Sequence, residues 1–272
     1  MSDYMKGVVS KVSNNPRGKN SLAAVKGTDR TRTILIQVGV AVVLLALIAA
    51  IGISIAVKHS KKTSDANARP TIAATAPTGP GGVAGSITSN GSIRIGKPDA
   101  KVTVRVVADL QCPVCQGFEA ANGQTLEDEV NNGTAAVEYN LIAFLDESSM
   151  GARYSSRAAN AAYCVATADP SKFQNWVASM YQQQPQEGTT GLPDSKIIQI
   201  TTAAGYTDPS VAQCITSDKY DGFVQKTTQE VINSGIHATP TVFVNGKQVD
   251  SNDRATLFNP GGIKATIEAA AK

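Results

Sequence analysis

Cys112 and Cys115 flank a Pro-Val pair, in a chain of 272 residues that has four cysteines. Two sulfurs this close can hold a metal, staple the chain, or cycle between dithiol and disulfide. Structural zinc takes four ligands, often as two close pairs. Here Cys164 and Cys214 each stand alone, and the histidines are His59 and His237, so no metal is expected. A staple across a two-residue gap barely restricts the unfolded chain, because disulfide stabilisation grows with loop length. Redox exchange fits the position. A strand-like run, Val102–Asp109, leads in, and helix-like residues lead out. Cys112 then lies at a helix N-terminus, where unpaired N–H groups and the macrodipole favour a thiolate. A thiolate attacks disulfides and also leaves them readily. Cys112 is expected to be exposed and nucleophilic. Cys115, one turn into the helix, is expected to be more buried and to resolve the mixed disulfide. Pro113 fits the first helical turn without loss of a hydrogen bond. Asp109, three residues before Cys112, is a candidate proton relay if burial raises its pKa. Glu119, on the same helix, is a second; for each, the plainer reading is a solvated or paired carboxylate. Cysteine carries the electrons itself, so no cofactor is called for.

The elements that must position this pair can be read from periodicity. Ser92–Gly96 is a short edge strand. Val102–Asp109 alternates and then becomes fully apolar, as a central strand does. The helix after Cys112 runs until Asn131-Asn132-Gly133, and Ala136–Leu145 is the next strand. A helical block follows. Gly151 to Ala168 is Ala-rich, and Asp169-Pro170 is a cap signal. Phe173, Trp176, Val177, Met180 and Tyr181 then share one helical face. Ile197, Ile198 and Ile200 mark a further helix, Asp208-Pro209 caps another, and after the block Phe223–Ile232 forms one more helix. Thr241–Val244 and Lys247–Val249 flank Asn245-Gly246 as a tight hairpin, and a final helix carries Ile263 and Ile267. Without the block, this is a small α/β sheet with helices packed on it.

The ends of the chain differ. Thr33–Val57 contains no charged residue and is long enough to cross a bilayer as one helix. It follows a polar stretch too long for a secretory signal, so an uncleaved anchor is expected. Residues 1–32 carry seven basic and two acidic side chains; residues 58–86 carry four and one. The overall +3 therefore belongs to the tails, and residues 87–272 are net acidic. The excess of Lys and Arg before the run places residues 1–32 in the cytoplasm and the C-terminal part outside it, where disulfides persist. Residues 58–86, rich in Ala, Thr, Pro and Gly, read as a tether spanning roughly 30 Å as a flexible coil. The mildly acidic globular part shows no basic stripe, so no nucleic-acid partner is expected.

Asp109–Glu119, DLQCPVCQGFE, followed downstream by His237–Gly246, HATPTVFVNG, resembles the DsbA-like thioredoxin-fold oxidoreductases. With its anchor and tether, the chain is similar to the membrane-tethered actinobacterial members, mycobacterial ones included. The resemblance implies an α/β thioredoxin fold over residues 87–272 with an inserted α-helical domain at about 148–216, preceded by one transmembrane helix. It implies that Pro240 is a cis-proline facing the cysteine pair, with Thr239 lining a substrate groove. There an extended substrate strand can pair with the backbone. One departure stands out. Strongly oxidising members carry His before the second cysteine, where this chain has Val114. Val114 offers neither charge nor hydrogen bond, so the pair is expected to be less oxidising, between about −270 and −120 mV. A Thr239 hydroxyl bonded to sulfur is a partial substitute. His237 edges the groove or is an ordinary surface histidine. Related mycobacterial proteins have a second disulfide; a Cys164–Cys214 bridge would close a loop of about fifty residues, against free thiols or a second exchange pair as alternatives.

The expected activity is a thiol:disulfide oxidase acting on reduced exported proteins, as a monomer. The resemblance implies re-oxidation by a quinone-linked membrane partner similar to vitamin K epoxide reductase. Isomerase or reductase action, or a tethered chaperone with an inert pair, are the alternatives. No dimerisation domain, only the tether, precedes residue 87, which counts against isomerase.

Overall fold

The computed structural model describes residues 68–272. The basic tail, the apolar run Thr33–Val57 and the first part of the tether lie outside the described residues. Among the described residues no helix is long and apolar enough to cross a membrane.

Among the described residues, six strands form one sheet in the order β1-β2-β4-β3-β5-β6. They are β1 (Ala84–Ile87), β2 (Ile93–Gly96), β3 (Val102–Ala108), β4 (Ala135–Leu141), β5 (Thr241–Val244) and β6 (Lys247–Gln248). The apolar run Val102–Ala108 becomes a central strand. β3 pairs in parallel with β4, from Val102↔Ala135 to Ala108↔Leu141, and antiparallel with β5, from Val104↔Val244 to Val107↔Thr241. A parallel pair needs a crossover, and helix α1 (Pro113–Asn132) supplies it. Val102, Val104 and Val106 join Phe118, Leu126 and Val130 of α1 in the main core. Val107 faces the other way, with Ile142, Val231 and Ile236. β3 is thus buried on both faces, which is why its alternation gives way to a continuous apolar run. Helix α1 ends where Gly133 turns left-handed (φ 84°) and donates its N–H to Val130 O.

Between β4 and β5 lie α2 (Tyr154–Ala168), α3 (Phe173–Gln182), α4 (Asp194–Ala203), α5 (Pro209–Thr216) and α6 (Asp221–Asn233). The small side chains of α2 let it run through the middle of the block, buried on nearly every side. The apolar face read for α3 is the face it buries: Phe173, Trp176, Val177, Met180 and Tyr181. Trp176 Nε1 donates to Thr201 Oγ1 of α4 at 2.9 Å. Asp208 caps α5 through Ser210 N as expected, but Asp169 caps a single 3₁₀ turn, Pro170–Lys172, that precedes α3. In the β5–β6 turn Asn245 (φ 48°) and Gly246 (φ 79°) both take the left-handed region, as a primed turn requires. Helices α7 (Arg254–Phe258) and α8 (Lys264–Ala271) close the chain, with Ile263 and Ile267 in the main core.

Two boundaries differ from the sequence reading. The domain was expected to begin at residue 87, but β1 starts at Ala84 and pairs with β2. Its short, weakly apolar sequence carries no strand signal; what recruits it is the free edge of β2. Gly85 allows it to lie close to the helical block: a Cβ there would stand 2.3 Å from Pro170 Cβ. Strand β4 stops at Leu141 rather than Leu145. Beyond it, Leu145 N–H turns to a side-chain acceptor at the candidate site, Asp109.

Candidate active site

Cys112 is the N-cap of α1 and Pro113 its first helical residue. The handover is held tightly: Cys112 N–H donates to Asp109 O at 3.0 Å, and Gln116 N–H to Cys112 O at 3.1 Å. Both sulfurs are free thiols. Their environments push the two pKa values apart. Cys112 falls from 9.0 to about 6, first because the Cys115 thiol donates a hydrogen bond to its sulfur. Burial opposes the fall, while the Thr239 side chain and the backbone N–H groups of Cys115 and Val114 assist it. Cys115 rises well above 9.0, first through burial and then because its own proton is held by Cys112. One sulfur is thus kept as thiolate and its neighbour as thiol at neutral pH, the division that exchange requires.

One expectation needs correction. Cys112 is not exposed: 6% of its surface is accessible, against 1% for Cys115. Helix-tip position alone suggested an open sulfur, but the Thr239–Pro240 turn packs across it. In the thiol form Cys112 Sγ–H donates to Thr239 O at 3.5 Å. The exposed neighbour is instead Val114, at 51%. A substrate must therefore reach the sulfur alongside the Thr239 turn.

The Thr239–Pro240 bond is cis, as the resemblance implied, and it faces Cys112. His237 is exposed and lines a small cavity of about 230 Å³ with Ala238 and Pro240.

Asp109 is fully buried at the C-terminal end of β3. Its Oδ1 accepts from Gln111 N at 2.8 Å and Ser155 Oγ at 2.7 Å, and its Oδ2 from Leu145 N at 2.9 Å. One carboxyl therefore ties together the β3–α1 turn, the end of β4 and helix α2. Burial raises its pKa from 3.8 to about 6; the three donors pull it down, and the Cys112 charge pushes it up. Glu119 lies apart from this network, in a larger cavity along α1.

Several residues of the site carry no sequence signal. Gln184, just beyond α3, donates through Nε2 to Leu110 O and Cys112 O, both at 3.0 Å. Gln116 Nε2 donates to Tyr181 O at 2.7 Å, and Tyr181 Oη to Asp109 O at 3.4 Å. Glutamines in a polar run have no readable partner until the helical block is folded onto the cysteine turn. Cys164 of α2 and Cys214 of α5 form a disulfide with a Cα–Cα distance of 5.8 Å, away from the exchange pair.

Residues 88–259 match the family model described as Thioredoxin. The structure is similar to DsbA of Mycobacterium tuberculosis in its oxidised form, at 31% identity and a TM-score of 0.54, covering 74% of this chain and 91% of that one. It is also similar to the reduced form of the disulfide bond oxidoreductase DsbG from the same organism: 30% identity, TM-score 0.51, 78% of this chain and 99% of that one. In sequence it is 29% identical over 161 residues to the serine/threonine-protein kinase PknE of M. tuberculosis, covering 57% of this chain. The match spans 28% of the kinase, so the chain covers under a third of that relative's length.

Proposed function

This chain belongs to the thioredoxin family, in its DsbA-like branch, and on that premise we propose that it forms disulfides in exported proteins through Cys112 and Cys115. The observation that carries the reading is the opposite displacement of the two sulfurs, Cys112 down to about 6 and Cys115 well up.

The cycle follows from that asymmetry. Starting from the Cys112–Cys115 disulfide, a substrate thiolate attacks Cys112 Sγ. The new S–S bond forms as the old one breaks, and the electron pair leaves on Cys115, which takes up a proton. The second substrate thiolate then attacks the substrate's own sulfur, and Cys112 leaves as a thiolate. Low pKa makes it a good leaving group. The substrate has lost two electrons and the enzyme holds them as the dithiol. Asp109 is assigned the exchange of the Cys115 proton; its raised pKa, about 6, and its position three residues before Cys112 support that role. A membrane re-oxidant resembling vitamin K epoxide reductase takes the electrons onward.

Thr33–Val57 anchors the chain, with residues 1–32 in the cytoplasm and the catalytic domain outside. Two features support this placement: the uncharged length of the run and the Cys164–Cys214 disulfide, a bond that persists in oxidising compartments.

The test is refolding. The oxidised protein is expected to introduce disulfides into a reduced, unfolded protein with two native bridges, while the Cys115→Ala variant accumulates mixed disulfides through Cys112, seen by mass spectrometry. Rapid insulin reduction without substrate oxidation would assign it as a reductase; no mixed disulfide at all would leave a chaperone-like binding module.

A further inference from the structure

A cavity of about 560 Å³ opens between α1 and α3. It begins at Pro113, next to the nucleophile, and follows α1 to Glu127, roughly 20 Å along the helix axis at 1.5 Å per residue. It stays open because α1 presents Gly117, Ala120 and Gly123 there, opposite Ala178. Beside Pro113 and Tyr181, the remaining lining consists of side-chain amides, Gln116 and Gln174 among them, and two carboxyls, Glu119 and Glu127, with no basic side chain.

Glu119 is the informative group. Among the described residues it has no hydrogen bond and no ion pair, whereas the Asp109 carboxyl at the exchange turn accepts three hydrogen bonds. Its carboxyl bends back over Gly123, where a Cβ would stand 2.6 Å from Oε1. Glycine at 123 is therefore what makes room for it. Glu119 is half-buried and its carboxyl lines the cavity; desolvation, and then the Glu127 charge, raise its pKa from 4.5 to about 7. A partly desolvated carboxylate without a partner is favoured in its charged form by a cation brought beside it.

We propose that this cavity is a subsite for a lysine or arginine side chain of the protein being oxidised, with Glu119 and Glu127 as counter-charges and the surrounding amides as hydrogen-bond partners. The inference rests on the oxidoreductase reading and names its substrate class. Glu119 lies six residues beyond Pro113, about 9 Å along α1. An extended substrate covers that in about three residues. The favoured client thus carries a basic residue about three positions from its reacting cysteine.

The experiment uses the full chain with Cys115→Ala, reduced, and three peptides whose single cysteine is activated as a mixed disulfide with thionitrobenzoate. Attack by the Cys112 thiolate on the peptide sulfur releases thionitrobenzoate, followed by absorbance. The peptides differ only three positions from the cysteine: lysine, norleucine or glutamate. At low ionic strength the lysine peptide is expected to react about five- to ten-fold faster than the norleucine peptide, and the glutamate peptide more slowly than either, the effect of one partly buried charge pair. Raising salt to about 0.5 M should shrink the lysine advantage. In the isosteric double variant Glu119→Gln, Glu127→Gln the lysine-to-norleucine ratio should fall to about one. Equal rates for the three peptides at low salt, or a ratio unaffected by the double variant, overturn the subsite alone. No release with any peptide overturns the exchange reading, and the subsite with it.

Discussion

Thr239→Val removes a hydroxyl that supports the Cys112 thiolate while keeping the β-branched shape and the backbone carbonyl 3.5 Å from the sulfur. A hydrogen bond to a charged group contributes about 1.5–3 kcal/mol, so its loss should raise the Cys112 pKa by about one to two units. At pH 7 the native sulfur, with a pKa of about 6, is mostly thiolate. A shift to about 7.5 makes it mostly thiol and destabilises the reduced protein by roughly 1.2 kcal/mol relative to the disulfide. For a two-electron couple that is about 25 mV, in the direction of a weaker oxidant. The sign follows from linkage: a depressed thiol pKa stabilises the reduced form above about pH 6, and that stabilisation is lost as pH falls through 6. Two assays check it: the pH titration of thiolate absorbance near 240 nm, and equilibration with glutathione. If Thr239→Val leaves the Cys112 pKa near 6, or makes the protein more oxidising, then the Thr239 hydroxyl does not hold the thiolate. The helix tip and Cys115 would then account for all of it.

In the dithiol form, Asp109 and Glu119 both titrate above their ordinary range, at about 6 and about 7, while the Cys112 thiolate acts in the opposite sense only above about pH 6. The unfolded chain releases those protons first, so stability should fall as pH rises from about 4 to 7; Asp109→Asn should flatten the lower part of that fall in urea titrations. Removing Cys164 and Cys214 together, as alanines, opens a bridge spanning 50 residues and should cost about 4 kcal/mol by chemical denaturation, with thionitrobenzoate release by Cys112 retained. Gln184→Ala leaves Leu110 O and Cys112 O without their side-chain donor. Hydrogen exchange should accelerate in the first turn of α1, with a stability loss of about 1–2 kcal/mol.

Much of this protein is local, and what is local was legible in the residues. The Pro-capped cysteine pair at a strand-to-helix boundary states its chemistry because a helix end exposes N–H groups wherever it sits. The face buried by α3, the Asp208 cap and the Asn245-Gly246 turn depend on periods and backbone preferences a few residues long. The cis bond before Pro240 and the Cys164–Cys214 bridge came from likeness to a known family rather than from such periods. What the sequence could not express is pairing between distant segments. Only the folded chain brings Thr239 across Cys112 and so covers a sulfur expected to be open. It also brings Ser155 and the Leu145 amide to Asp109, Gln184 to the cysteine turn, and Ala84 into the sheet edge. These contacts join residues from a dozen to more than a hundred positions apart, and each is decided by which surfaces the core leaves facing one another. Chain composition settled which atoms could exchange electrons; tertiary packing settled how acidic and how reachable they are, since both depend on neighbours supplied from elsewhere in the chain.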